Sequence, residues 1–352
     1  MTDSHGGGPR ASGPGLPAAS LYCLDMLTAG VDVGGSKVFA ALVDEKGCIH
    51  ERAARPTDPE AGTASIVAAL EDLFDLISSG AASRDGPAAI GVAAAAYVEH
   101  PSGRVVFSPN LRYEDPDVAG AVRKRFGLEV VVENDANAAA WAEQQYGAAR
   151  GSDDTIMLTV GTGIGGGAVL GGRLFRGHSG FAAEFGHITL VDGGPLCACG
   201  ERGCLEALAS GTAIGRMARE GIALAGGSTL LELAGGSPER ITGALVSEAA
   251  HAGDEFAAGI LERAGRWLGV GLASLVNAFD PALVVLGGGG ASAGWFLLDP
   301  ARRELDRRIA PRRPPPPIVA GTLGNDAGAI GAADLARREA HLTGRAESRQ
   351  GS

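Results

Sequence analysis

Thr155-Ile156-Met157-Leu158-Thr159-Val160, then Gly161-Thr162-Gly163-Ile164-Gly165-Gly166-Gly167, then Ala168-Val169-Leu170-Gly171-Gly172-Arg173-Leu174: the reading of this stretch decides the fold. Its first six residues form an apolar run of strand length, bounded by glycine. Gly161, Gly163 and Gly166 match the GxGxxG spacing of dinucleotide-binding folds. That fingerprint has to open a helix. Here it is followed by a second strand pattern and a turn, so the unit reads as strand, glycine loop, strand. Such a hairpin turn presents backbone N–H groups.

The same unit occurs earlier. Ala29 to Val33 is a short apolar strand, Gly34-Gly35-Ser36-Lys37 is the loop, and Val38 to Val43 is the return strand. Two such hairpins, roughly 130 residues apart, predict a duplicated α/β fold whose loops face one another. Together the loops are suited to cradle a triphosphate with backbone amides. The chain has no GxxxxGK[ST] phosphate loop. Asp32, at the end of the first strand, is placed to hold a hydrated Mg²⁺.

Glu133-Asn134-Asp135 ends a further strand pattern, and Ala138 to Tyr146 reads as a helix. Polar residues at the C-terminal end of a buried strand point into a cleft. Asp135 is therefore the general-base candidate, with Asn134 a hydroxyl-binding neighbour. The competing reading makes Asp135 the N-cap of the following helix. Leu283 to Leu286 runs into four glycines, Gly287 to Gly290, where the backbone can approach a ligand closely. The last helix is expected from about Gly324 to about Ala340.

A second dense cluster lies between Glu184 and Glu206. His187, Cys197, Cys199 and Cys204 supply one imidazole and three thiolates, a closed tetrahedral zinc set. Closed coordination predicts a structural metal. Gly200 and Gly203 permit tight turns between the ligands. Glu184 and Glu206 are not needed for the metal. With the second ring nitrogen of His187, they are suited to a polyol-binding wall braced by the zinc.

Composition limits the alternatives. The 352 residues are 45% hydrophobic and carry a net charge of −11. An acidic chain without a basic run speaks against nucleic-acid binding. No run of eighteen apolar residues suggests a membrane span, and no secretion signal is evident. Five cysteines, an odd number of which three are grouped as metal ligands, suggest a reducing cytoplasm.

Taken together, Asp32 to Lys37, Glu133-Asn134-Asp135, Gly161 to Gly167, Glu184-Phe185-Gly186-His187, the Cys197–Cys204 cluster, Leu286 to Gly289 and Gly324 to Gly331 resemble the ordered motif set of the ROK family (repressors, open reading frames, sugar kinases). The likeness spans about residues 28–335 and, within the family, is to ATP-dependent glucokinases of actinobacteria. It implies an actin-like, hexokinase-type fold of two α/β lobes. It also implies ATP-dependent phosphorylation of glucose at the 6-hydroxyl, giving glucose 6-phosphate and ADP, with Asp135 as base. By the same resemblance Asn110, Asn134, Glu184, His187 and Glu206 contact the sugar. The phosphates fall to Asp32, Gly34, Gly35, Ser36, Lys37, Gly161, Thr162, Gly163, Gly165 and Gly166, with Gly288 and the last helix near the adenosine. The zinc ligands are His187, Cys197, Cys199 and Cys204.

The expected organisation is a disordered tail (1–26), an N-terminal lobe (27–135) completed by the helix 325–340, a larger lobe (136–324) with the zinc motif, and a tail (341–352). A homodimer or homotetramer is expected. Ser36 replaces the family's usual Thr, and Ala96 stands in a sugar-lining stretch that usually carries Gly. A kinase for another hexose (N-acetylmannosamine, N-acetylglucosamine, allose or fructose) is the alternative. A sugar-sensing regulator without a DNA-binding domain is the second alternative.

Overall fold

Strand β1 (Thr28–Val33) turns through Gly34–Ser36 into β2 (Lys37–Val43), which pairs with β3 (Ile49–Pro56), all antiparallel. The computed structural model that shows this describes residues 26–350 apart from 80–85, 110, 114, 225–227, 310 and 312. The tail expected over residues 1–25 lies outside the described residues.

Helix α1 (Gly62–Ser79) buries Ile66, Leu70, Leu73 and Ile77, spaced along one helical face, against the first sheet. Strand β4 (Ala89–Ala94) joins β1 in parallel. A small hairpin follows, β5 (Tyr97–Glu99) with β6 (Arg104–Phe107). Helix α2 (Val118–Phe126) leads to β7 (Glu129–Asn134), which pairs in parallel with β4. The order in this sheet is β3-β2-β1-β4-β7.

After helix α3 (Asp135–Tyr146) the pattern repeats. β8 (Thr155–Val160), β9 (Ile164–Leu170) and β10 (Arg173–Leu174) form the antiparallel part. Helices α4 (Leu205–Ala209), α5 (Gly211–Gly221), α6 (Leu230–Leu233), α7 (Gly243–His251) and α8 (Glu255–Phe279) come next. Then β11 (Leu283–Gly287), α9 (Trp295–Ile309) and β12 (Ile318–Ala320) complete a sheet ordered β10-β9-β8-β11-β12. Strand for strand this is the order of the first sheet, so the duplication expected from the two glycine hairpins is present.

The central strands β1 and β4 are buried on both faces, which is why they read as continuous apolar runs rather than alternating ones. One face of the first sheet is covered by the last helix, α10 (Ala327–Gln350). Gly30 and Gly91 make this possible, since a Cβ at either would strike the α10 backbone at Ala329 or Ala332. The helix continues ten residues past the Ala340 end expected from the sequence, to Gln350. Helix α3 lies against β9 through Ala136 and Ala140, opposite Gly165 and Gly167. It thus ends one sheet and packs on the other.

Candidate active site

The end of β7 is built to present a carboxylate. Asn134, not Asp135, is the N-cap of α3, its Oδ1 accepting from Asn137 N at 3.0 Å. Asp135 is the first residue of the helix, three positions before the helix start expected from the sequence. Its Oδ1 accepts from Ala136 N at 2.8 Å. The Asn134 amide also donates to Ala96 O at 3.2 Å, tying the strand end to the β4–β5 connection. A cap satisfies an otherwise orphaned N–H and fixes the helix start, so Asp135 is held where β7 meets α3.

Asn134 and Asp135 line a cleft of about 340 Å³ together with Gly34, Gly35, Ala96 and Tyr97 from the first sheet's connections. From the second half come Gly161, Thr162, Gly163, Gly165, Glu184, His187, Glu206 and Gly288. The two glycine hairpins therefore border one space, as the sequence predicts. Adjoining it, sharing Asp135, Gly34 and Gly288, is a hollow of about 280 Å³ that holds Asp32, Ser36 and Lys37. Lys37 Nζ lies 5.1 Å from the centroid of the Phe39 ring.

Three carboxyls in this space are pushed toward neutrality. Burial raises Asp135 to about 6, against the opposing pull of backbone N–H donors. Burial, then the charge of Asp135, raises Asp32 to about 7, with Lys37 opposing. Glu184 is raised to about 7 by burial, then by Asp135 and Glu206. Buried carboxyls facing each other disfavour simultaneous ionisation, so this cluster attracts cations and hydroxyl donors.

Glu206 connects two of the predicted motifs. Its Oε2 accepts from Ile164 N at 2.8 Å, next to the second glycine turn. A Cβ on Gly163 would collide with that same oxygen. The turn is also pinned from behind by Gly211 N to Gly161 O and Thr212 Oγ1 to Thr162 O, both 2.8 Å.

The donor atoms of His187, Cys197, Cys199 and Cys204 all lie within 4.8 Å of one another. Cys199 Sγ and Cys204 Sγ are 3.8 Å apart, and Cys197 Sγ is 3.7 Å from His187 Nδ1. A tetrahedral ion with metal–sulfur distances near 2.3 Å requires sulfurs about 3.8 Å apart, so the set fits zinc. With Nδ1 on the metal side, Nε2 of His187 is the nitrogen left for the cleft. Gly200 (φ 94°) and Gly203 (φ 75°) have positive φ in the tight turns between the ligands, and Gly203 also sits directly against Val191 O.

Some predicted residues fall elsewhere. Asn110 lies outside the described residues. Gly166 lines neither hollow: it is inside β9, where a Cβ would meet Ala183 O and the Phe185 ring, so its glycine is a packing requirement. The loop proper is shorter than the glycine run, because β9 starts at Ile164. Sequence reading also missed a third hollow of about 420 Å³. It opens off Gly161 and Thr162 and is walled by α5, α7 and the Gly289–Ala293 turn, with Ile214, Ala293 and Leu297 among its apolar residues. No single motif marks it, since its wall is assembled from segments far apart in sequence.

Duplicated hairpin sheets meeting at a carboxylate-floored, glycine-rimmed cleft define the hexokinase type of sugar-kinase fold. Residues 28–339 match the ROK family. The chain is 43% identical over 317 residues to a glucokinase of Streptomyces coelicolor, covering 88% of this chain and 98% of that one. A glucokinase of Thermotoga maritima is 38% identical over 308 residues, covering 87% and 96%. Among solved structures, a ROK family glucokinase from Streptomyces griseus in complex with glucose and AMPPNP matches with a TM-score of 0.79 at 43% identity, over 89% of this chain and 99% of that one. The chain belongs to the ROK family.

Proposed function

We propose that this protein is a glucokinase that transfers the γ-phosphoryl group of ATP to the 6-hydroxyl of glucose, giving glucose 6-phosphate and ADP. The observation that carries the reading is the convergence of Asp135, Glu184, His187 and Glu206 on one cleft bordered by both glycine hairpins. The relatives named above are glucokinases, and one was solved with glucose and an ATP analogue.

In this reading the Asp135 carboxylate accepts the proton from O6 as that oxygen attacks the γ-phosphorus, and ADP departs. Phosphoryl transfer depends on positioning and charge stabilisation more than on covalent help. Backbone amides of the two hairpin turns and Lys37 face the phosphates. Glu184, Glu206, Asn134 and the free nitrogen of His187 hydrogen-bond the sugar hydroxyls. The 420 Å³ hollow, beside the turn that follows Gly288, takes the adenosine; its apolar wall and its continuity with Thr162 support this. Asp32 would hold a hydrated Mg²⁺, which neutralises phosphate charge when bound. No helix among the described residues is long and apolar enough to cross a membrane.

A coupled ADP-release assay with Mg-ATP and a hexose panel tests the reading. Glucose is expected to be turned over fastest. A preference for an N-acetylated hexose would reassign the substrate and direct attention to Ala96 and Tyr97.

Two further outcomes follow. Only ionised Asp135 can take a proton, and burial pushes its carboxyl up to about 6. The value of kcat/KM for glucose should therefore rise with pH through about 6 and fall about tenfold per unit below it. A flat profile from pH 5 to 8 would remove Asp135 from that role. Gly163→Ala should displace Glu206 from Ile164 N and disturb both sites, lowering kcat/KM for ATP at least about tenfold with zinc content intact. Unchanged kinetics would mean the turn does not depend on this contact.

A further inference from the structure

Glu133 is assigned neither to metal nor to substrate, yet its carboxylate is fully engaged beside the cleft. Its Oε1 accepts from Asn134 N at 3.0 Å and from Asn137 Nδ2 at 3.1 Å. Its Oε2 meets Arg176 Nε at 2.5 Å. The side chains are 5% and 22% exposed respectively. Glu133 is the penultimate residue of β7 in the first sheet, whereas Arg176 lies just past β10 of the second, so the pair spans the two halves. The pair has a titratable neighbour, since burial and then the charge of Arg176 lower the His100 imidazole, with Glu133 and Glu339 opposing. A buried ion pair gains little stability over apolar residues of similar size, so its presence calls for another account.

The two ends of the pair supply one. At one end, Glu133 grips the backbone and the first-turn side chain that flank Asp135. At the other, Arg176 roots the segment that delivers Glu184 and His187. Arg176 O accepts from Ala182 N at 3.2 Å, and Ser179 O accepts from His100 N at 2.9 Å. The segment ends at Ala183, whose φ of 68° is sparsely populated for a residue with a Cβ and persists only when its surroundings fix it.

We propose that Glu133 and Arg176 form a positioning pair that holds Asp135, on the first turn of α3, in register with Glu184 and His187 across the cleft. The pair touches neither substrate. It acts through the groups on either side of it, and the inference rests on Asp135 being the base. Displacements of about 1 Å in a reacting constellation cost about a hundredfold in rate, so loss of register is read in kcat.

The test is a double-mutant cycle on kcat with Glu133→Gln, Arg176→Met and both together, plus Arg176→Lys as the conservative variant. Glu133→Gln keeps the size and the Oε1 acceptor but removes the charge facing Arg176. It should lower kcat at least about tenfold with KM for ATP within about twofold and zinc content unchanged. The double variant should be no slower than the slower single variant, because both break one device. Arg176→Lys should recover part of the rate lost in Arg176→Met. A purely structural pair would instead lower yield and Tm while kcat per active site stayed constant.

That result, or losses in log kcat that simply add, overturns the proposal. If the Gln or Met variant does not fold, Glu133→Asp decides: it keeps the charge but withdraws the carboxylate by one methylene from Arg176 and Asn137, so kcat within about twofold of the parent overturns the proposal. Asp135→Asn in the same assay separates the two levels. Turnover surviving in that variant would show that the base assignment, not the pair, has failed.

Discussion

Asp135→Asn is expected to lower kcat by about 10²–10⁴-fold while glucose still binds. The range is the usual contribution of a positioned general base. Asn is nearly isosteric and can still accept from Ala136 N, the bond that Asp135 makes at 2.8 Å. The N-cap on Asn134 does not involve the substituted side chain, so the helix start should survive. What disappears is the group that can take a proton. The substitution also removes a charge that raises both Asp32 and Glu184, so those carboxyls should ionise more readily. Calorimetric glucose binding and steady-state ADP release together check the prediction. Turnover within about threefold of the parent would mean that the proton leaves by another route.

The second large effect is expected at the metal. Cys199→Ser should abolish zinc retention and weaken glucose binding about 10–100-fold, the range seen when support behind a ligand shell is lost. Cys199 is exposed, so the change from sulfur to oxygen costs little packing by itself. Without the ion, His187, Cys197 and Cys204 no longer share a centre, and the imidazole loses the bond that orients it. His187 and Glu206 line the cleft and lie beside the metal set, so loss of the ion should register in sugar affinity before it registers in ATP affinity. Metal analysis per chain and a glucose titration test this. A zinc-free variant with normal glucose KM would show that the knuckle does not brace the sugar wall.

The fold was legible where chemistry constrains sequence tightly. Both glycine hairpins could be read because Gly34–Gly35 and Gly161–Gly163 must turn and expose amides, and because strands, not helices, follow them. The zinc set was legible because few other arrangements need three cysteines and a histidine so close together. Less constrained parts were not read. Strand β3 buries only Ala53, between exposed Arg52 and Ala54, and lacks an apolar run. Helix α9 carries Pro300 within it, which sequence reading treats as a breaker. The Glu133–Arg176 pair joins residues 43 positions apart, and nothing local to either marks a partner. The 420 Å³ hollow escaped for the same reason: it is a property of packing between α5, α7 and the turn after β11.

The placement of α10 has a consequence for how the chain matures on the ribosome. The first sheet is translated early, but the helix that seals Gly30 and Gly91 is made after every strand of both sheets. Until then the β1–β4 surface has an uncovered apolar face, while all strands of the second sheet emerge as one contiguous segment before α10. Domains synthesised first usually fold first. Here the order is inverted for final closure: the early half waits, exposed, until α10 has been made. Premature termination between Ala320 and Ala327 would leave a product with a finished second sheet and an adhesive first one, a species for quality control to remove rather than a partly active enzyme.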